Sequence, residues 1–250
     1  MNREIEARTQ ALESAAGVAA TVAGDDVTHV IFILDRSGSM GGKEGDVIGG
    51  VNSYVGDLRR TSEGGVVGIS YVRFDQQIDL VWNDVPLADV PTMTPEHYSV
   101  RGNTALLDAV GMTVSAINDN PAHRYVVITN TDGMENASRA WTAERVKALI
   151  EERQARGNWT FTFFGEGIEA WSQAGRYGFA PNASMAHTAA DRHDMFHAKA
   201  RVTDVMMKRK MRATRDFARA TEALMRDGSL SDDEVARILD GDEDAGEAAT

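Results

Sequence analysis

From Thr28 onward the chain alternates short apolar runs with amphipathic stretches, and that alternation narrows the possible fold more than any other feature. The runs at 28–34, 66–74, 77–82, 124–130 and 159–165 have the β-branched and aromatic content of strands. Between them, 44–62, 104–118 and 139–155 carry apolar residues at helical spacing. Strands that alternate with helices predict an α/β fold, a parallel sheet covered by helices on both faces. One connection is too short for a crossover helix. "FDQQ" separates "VVGISYVR" from "IDLVW", so the second of these strands must turn back as an antiparallel edge.

The flanks read differently. Residues 1–26 begin with "MNREIEARTQALESA", good helix formers with a thin apolar face of Ile5 and Leu12, and continue into the small-residue stretch "AGVAATVAGDD". This is expected to be a helical arm and linker. The α/β domain is assigned to 27–200, and its end, "GIEAWSQAGRYGFAPNASMAHTA", is expected to hold a short helix and a short last strand. A long helical run is predicted from near Asp191 to about Arg226, with a basic stripe of Arg201, Lys208, Arg209, Lys210, Arg212, Arg215 and Arg219. Beyond Gly228 come a short helix, "SDDEVARILD", and the acidic end "GDEDAGEAAT", so 201–250 is read as a basic helix with an acidic tail. No internal repeat is visible.

Composition removes several function classes. The chain has no cysteine, which excludes disulfides and thiolate metal sites and suits a reducing, cytoplasmic compartment. A formal charge of −12 opposes non-specific binding to nucleic-acid phosphates. The longest small-apolar run, Ala15 to Gly24, is about half the roughly 20 residues of a membrane span, and acidic Glu13 precedes it. Neither a signal peptide nor a membrane helix is expected.

Chemistry concentrates at the carboxyl ends of predicted strands, where open parallel sheets bind their ligands. "VIFILDRSGSM" ends a buried strand in Asp35, Ser37 and Ser39; "RGNTALLDAV" puts Thr104 at a helix start; "VVITNTDGMEN" puts Asp132 just after the fourth strand. Two carboxylates and three hydroxyls form an all-oxygen set, which suits a hard divalent cation, Mg²⁺ or Mn²⁺, better than zinc. Hydroxyl ligands are neutral, so such an ion keeps enough charge to attract a further carboxylate from outside. The competing reading of Asp and Ser at a strand-to-helix junction is as helix caps. Asn136 and Ser138 are read as caps for the helix that follows them, and Gly38, Gly41 and Gly42 as turn residues.

"DRSGSM", "GNTALLDAV" and "TDGMENAS" resemble the three segments of the metal-ion-dependent adhesion site of von Willebrand factor A domains, in their stand-alone bacterial and bacteriophage form. The resemblance spans about Thr28 to Ala200. It implies a three-layer, Rossmann-like von Willebrand factor A fold with a mostly parallel sheet and one antiparallel edge strand, to which helical terminal extensions are added. It also implies that Ser37, Ser39 and Thr104 touch the metal, with Asp35 and Asp132 acting directly or through water. The implied function is binding of a protein partner that supplies a Glu or Asp to the ion, without catalysis. In a phage source the compartment would be the host cytoplasm or the virion.

Two other function classes compete with this reading. A metal-dependent hydrolase is disfavoured because no His, Lys or extra carboxylate near the motifs offers a general base. A structural component of an assembly, such as a phage particle, would use the metal only to stiffen loops. Among other motifs, "GSMGGKEG" is one residue short of a phosphate loop and has Glu44 where a hydroxyl should follow the lysine. In "HDMFH", His193 and His197 have zinc-chelating spacing, with His187 nearby, but Asp194 stands where zincins have a glutamate, so a structural pair is favoured. Trp82, Trp141, Trp159 and Trp171 are read as packing residues, and the basic stripe as a solvated or partner-facing surface. The acidic tail is read as a solvated end, with self-association through the metal as its sharper alternative.

Overall fold

Val30, Phe32 and Leu34 face one way from the first strand while Ile31 and Ile33 face the other, and all five are buried. A strand covered on both faces needs apolar side chains at every position, which explains the unbroken run "VIFIL". The structure, a computed structural model, describes residues 26–62, 65–132, 134–166, 174–179, 184–187 and 192–241. The predicted N-terminal arm, Trp171 and the acidic end beyond Gly241 lie outside these residues.

The strands are β1 (Val27–Asp35), β2 (Val66–Phe74), β3 (Ile78–Pro86), β4 (Arg124–Thr131), β5 (Trp159–Glu166) and β6 (Ser184–His187). They form one sheet in the order β3-β2-β1-β4-β5-β6. Every pairing is parallel except that of β2 with β3, joined by the turn at 75–77. The antiparallel edge is therefore where the short "FDQQ" connection requires it, and the short last strand expected after Gly165 is β6. Helices α1 (Glu44–Thr61), α4 (Arg192–Lys208), α5 (Phe217–Arg226) and α6 (Asp232–Leu239) cover one face, while α2 (Leu106–Ala116) and α3 (Ala143–Ala155) cover the other. This is the three-layer von Willebrand factor A fold. At Gly50 helix α1 lies so close to α4 that an added Cβ would fall 2.1 Å from the Phe196 ring.

The C-terminal third corrects the sequence reading. The predicted helix 191–226 is two helices, broken at 209–216, and α4 runs straight across position 200. No Gly or Pro marks the break; tertiary contacts override helix propensity there. Lys210 adopts a φ of 53°, Thr214 N–H donates to Thr160 Oγ1 at 3.0 Å, and Thr214 Oγ1 donates to the Leu239 carbonyl at 2.8 Å. The break separates Arg212 from Arg201, Lys208 and Arg209. Arg201 donates to the carbonyls of Gly228 and Leu230, Lys208 pairs with Asp204 and Asp232, Arg209 pairs with Asp233, and Arg212 reaches the Pro121 carbonyl. The start of the acidic segment thus docks on the stripe, and α6 begins with a capping box of Ser231 and Glu234.

Candidate metal centre

The sheet order reverses between β1 and β4: the chain builds outward from β1 to β3, then returns to place β4 on β1's other side. The crevice outside the carboxyl ends at such a switch point is where open α/β sheets bind ligands. Asp35 ends β1 and Thr131 ends β4, so the register brings them together. Asp35 is fully buried, and its two oxygens accept from Ser37 N–H at 2.7 Å and from Thr131 Oγ1 at 2.5 Å. Burial pushes its pKa up to about 6; the hydrogen bonds from Thr131 and Ser37 oppose the rise, and the charge of Asp132 adds to it.

A chain of side-chain contacts continues outward. Ser37 Oγ lies 3.1 Å from Ser39 Oγ, which donates to Asp132 Oδ1 at 2.6 Å. Lys43 Nζ donates to the other oxygen, Asp132 Oδ2, so a lysine does stand at the site, contrary to the expectation that none lies near the motifs; held against a carboxylate, it is an ammonium and not a free base. Four of the five sequence-predicted donors therefore stand in one network. Thr104 arrives by way of its backbone. It is buried, and its loop is bonded to the first motif through Gly38 N–H to the Gly102 carbonyl (3.0 Å) and Arg101 N–H to the Arg36 carbonyl (2.7 Å). Gly102 has a φ of +73°, a backbone conformation that favours glycine, and an added Cβ would also displace the Gln76 side chain, whose Oε1 lies 2.0 Å from its position.

The residues that hold these loops were not singled out from sequence. Arg36, between two of the candidate ligands, is buried; its Nε lies 3.3 Å from Asp75 Oδ2 and its Nη2 donates to Asp79 Oδ2 at 2.8 Å. Asp75 also accepts from Arg101 Nε at 2.6 Å and from Gln77 N–H at 2.5 Å, and its carbonyl accepts from Ala105 N–H at 3.0 Å. Asp75 thereby ties the β2–β3 turn to the threonine loop. The available signal was a pair of charged residues, Arg36 and Asp75, directly after buried strands.

Asn136 and Ser138 hold different partners from those expected. Asn136 Oδ1 accepts from Thr104 N–H at 2.9 Å, and Ser138 Oγ accepts from Asp108 N–H at 3.0 Å, in the first turn of α2. The cap of the following helix, α3, is Thr142. Glu135 Oε2 accepts from Leu107 N–H at 2.9 Å, so the third motif caps α2 rather than α3. Asp108 returns the exchange by accepting from the N–H groups of Arg139, Ala140 and Trp141 at 2.8–2.9 Å.

The donor set fits a divalent cation on two observations. All the candidate ligands are oxygens, and a positive group, the Lys43 ammonium, already lies against Asp132. Among the described residues no group of three or more histidine or carboxylate side chains is arranged to hold a metal, so the mixed carboxylate–hydroxyl set is the candidate. His197, the second histidine of "HDMFH", bonds through Nδ1 to Asp57; the side chains of His187 and His193 lie outside the described residues. Of the tryptophans, Trp82 and Trp159 are buried, and Trp141 packs against the core with the Arg145 guanidinium 4.3 Å above its ring.

No protein-family model matches the chain, and no curated protein matches it in sequence. Solved structures do share its fold. Proximal thread matrix protein 1 from the mussel byssus is 15% identical, with a TM-score of 0.50 over 70% of this chain and 46% of that one. The pilus adhesin SpaC of Lactobacillus rhamnosus GG is 11% identical, with a TM-score of 0.59 over 73% of this chain and 30% of that one. The minor pilin PilB of Streptococcus sanguinis is 12% identical, with a TM-score of 0.53 over 74% of this chain and 63% of that one. The chain thus spans less than two thirds of each. Another structure of the mussel protein has a zinc-occupied MIDAS motif, the metal-ion-dependent adhesion site.

Proposed function

We propose that this chain is a metal-dependent protein-binding module whose partner supplies a Glu or Asp side chain. The observation that carries the reading is the network Asp35–Ser37–Ser39–Asp132 at the β1/β4 switch point, bonded to the loop of Thr104. Asp35 and Asp132 contribute the negative charge, and Ser37, Ser39 and Thr104 contribute neutral oxygens. A divalent ion bound there, Mg²⁺ or Mn²⁺ by the hardness of the donors, supplies a Lewis-acid centre for an incoming carboxylate. Asp35, recessed beneath the serines and bonded to Thr131, orients the loop; Ser39 and Met134, both exposed, stand at the rim where a partner would arrive. Support from relatives is of one kind: the fold neighbours named above are an adhesin, a pilin and a matrix protein.

Calorimetric titration of Mg²⁺ and Mn²⁺ into EDTA-stripped protein tests the first half of the proposal, with saturable binding at millimolar metal or below as the expected result. A pull-down from native lysate, with and without chelator, tests the second. A partner retained equally in EDTA would favour a structural role for the site, and no binding of either ion to folded protein would remove the metal centre altogether.

A further inference from the structure

Lys43 satisfies Asp132 from within the chain. Asp132 Oδ1 accepts from Ser39 Oγ at 2.6 Å and Oδ2 from Lys43 Nζ, so both carboxylate oxygens are engaged. The Asp132 side chain is 5% exposed and that of Lys43 21%, so the ammonium is the outer member of the pair. The Lys43 backbone is fixed at the entry to α1: its N–H donates to the Met40 carbonyl at 3.1 Å, and its carbonyl accepts from Val47 N–H at 3.1 Å. Only the four-carbon arm is left to move. A cation on so short a tether has a high effective concentration at Asp132.

We propose that Lys43 is a built-in competitor for the divalent ion, closing the site at low metal and withdrawing when the metal binds. The inference rests on the reading of the site as a metal centre. The Lys43 ammonium occupies one side of Asp132 Oδ2, so an ion approaching that carboxylate, directly or through water, meets a cation already in place. An ammonium left in place would also set a like charge within a few ångströms of the metal, where repulsion is strong because the carboxylate is shielded from water. Without an ion, the same ammonium offsets the carboxylate of Asp132 beside buried Asp35, which keeps the empty loops assembled. Lys43 therefore sets the metal concentration at which the module becomes competent for a partner.

Titration of Mg²⁺ into EDTA-stripped wild type, Lys43→Met, Lys43→Arg and Arg60→Gln separates this role from bulk charge. Arg60 lies near the far end of α1, about 25 Å along the helix axis from Lys43 at 1.5 Å per residue. Lys43→Met should bind Mg²⁺ about tenfold tighter or more than wild type. Lys43→Arg keeps a tethered cation and should bind close to wild type, as should Arg60→Gln. In EDTA, Lys43→Met should melt below wild type, and saturating Mg²⁺ should raise its midpoint by the larger amount. If Lys43→Met does not fold, Lys43→Gln, which keeps length without charge, carries the same expectations. Equal or weaker Mg²⁺ binding by the neutral variant, or an equal gain in Arg60→Gln, overturns the inference while leaving the metal centre standing. Absence of binding in all four proteins overturns the metal centre, and the inference falls with it.

Discussion

A carboxylate at the end of a fully buried strand is costly unless something takes up its charge, and Asp35 is only half compensated. Two hydrogen bonds favour its ionised form, yet burial outweighs them and holds its pKa at about 6 against the usual 3.8. A folded-state pKa above the unfolded one means that the folded protein binds the proton more tightly. Metal-free protein therefore has this residue's full contribution to stability below pH 4 and loses it as the pH rises through 6, a difference of roughly 3 kcal/mol at about 1.4 kcal/mol per unit. Asp35→Asn keeps the acceptor for Ser37 N–H and cannot ionise. In EDTA it should match wild type near pH 4 and exceed it in stability at pH 7.5, with Mg²⁺ reversing that order; denaturant unfolding at the two pH values checks this. Equal stability at pH 7.5 would mean that the site pre-pays nothing for its ion. That Asp35, Ser37, Ser39 and Asp132 come together was legible from sequence because each stands in a short motif just after a strand at the switch point. Arg36, Lys43 and Asp75 were not, since their roles depend on partners up to 89 residues away, as with Lys43 and Asp132.

At the scale of elements, the third motif and α2 hold each other. Asp108 accepts three backbone N–H groups from 139–141, while Glu135 and Ser138 accept the N–H groups of Leu107 and Asp108. Thr104 lies between these exchanges, bonded to Asn136 on both its N–H and its carbonyl. Asp108→Ala strands three donors at once and should lower stability by about 2 kcal/mol, with a weakening of Mg²⁺ binding that Asp108→Asn largely restores. Unchanged Mg²⁺ affinity in the alanine variant would show that the threonine loop is positioned without Asp108, by Asp75, Asn136 and its backbone bonds to Arg36 and Gly38. Strand positions and the antiparallel edge could be read from sequence because apolar runs and a four-residue connection leave few choices. The interruption between α4 and α5 could not, because "MMKRKMRATRDFARA" contains only tolerable helix residues and the break is imposed by Thr160 and Leu239, remote in sequence.

For the whole molecule, the consequence is that the segment after residue 200 belongs to the same core as the sheet. Val202, Val205, Phe217, Leu224, Val235, Ile238 and Leu239 are buried in the cluster that includes Val30, Phe32 and Leu34 of β1. Fully burying a side chain of this kind contributes about 1.5–3 kcal/mol relative to exposure, so removing seven takes away about 10–20 kcal/mol, comparable to or larger than the roughly 5–15 kcal/mol by which a domain is usually stable. Tyr54 of α1 would also lose its hydrogen bond to Thr203, at 2.8 Å. A chain ending at Ala200 should therefore not fold. One ending at Gly228 would remove α6, with Val235, Ile238 and Leu239, and should melt well below the full chain. Truncation after Gly241 spares every one of these contacts and should leave the melting midpoint within a degree or two of the full chain. That truncation also isolates the role of Asp242, Glu243, Asp244 and Glu247, since it removes those carboxylates while keeping Asp232 and Asp233 on their basic partners. Thermal unfolding followed by circular dichroism distinguishes the three chains; cooperative melting of the 1–200 fragment near the full-length midpoint would mean that the sheet with α1, α2, α3 and the first half of α4 is a domain in its own right.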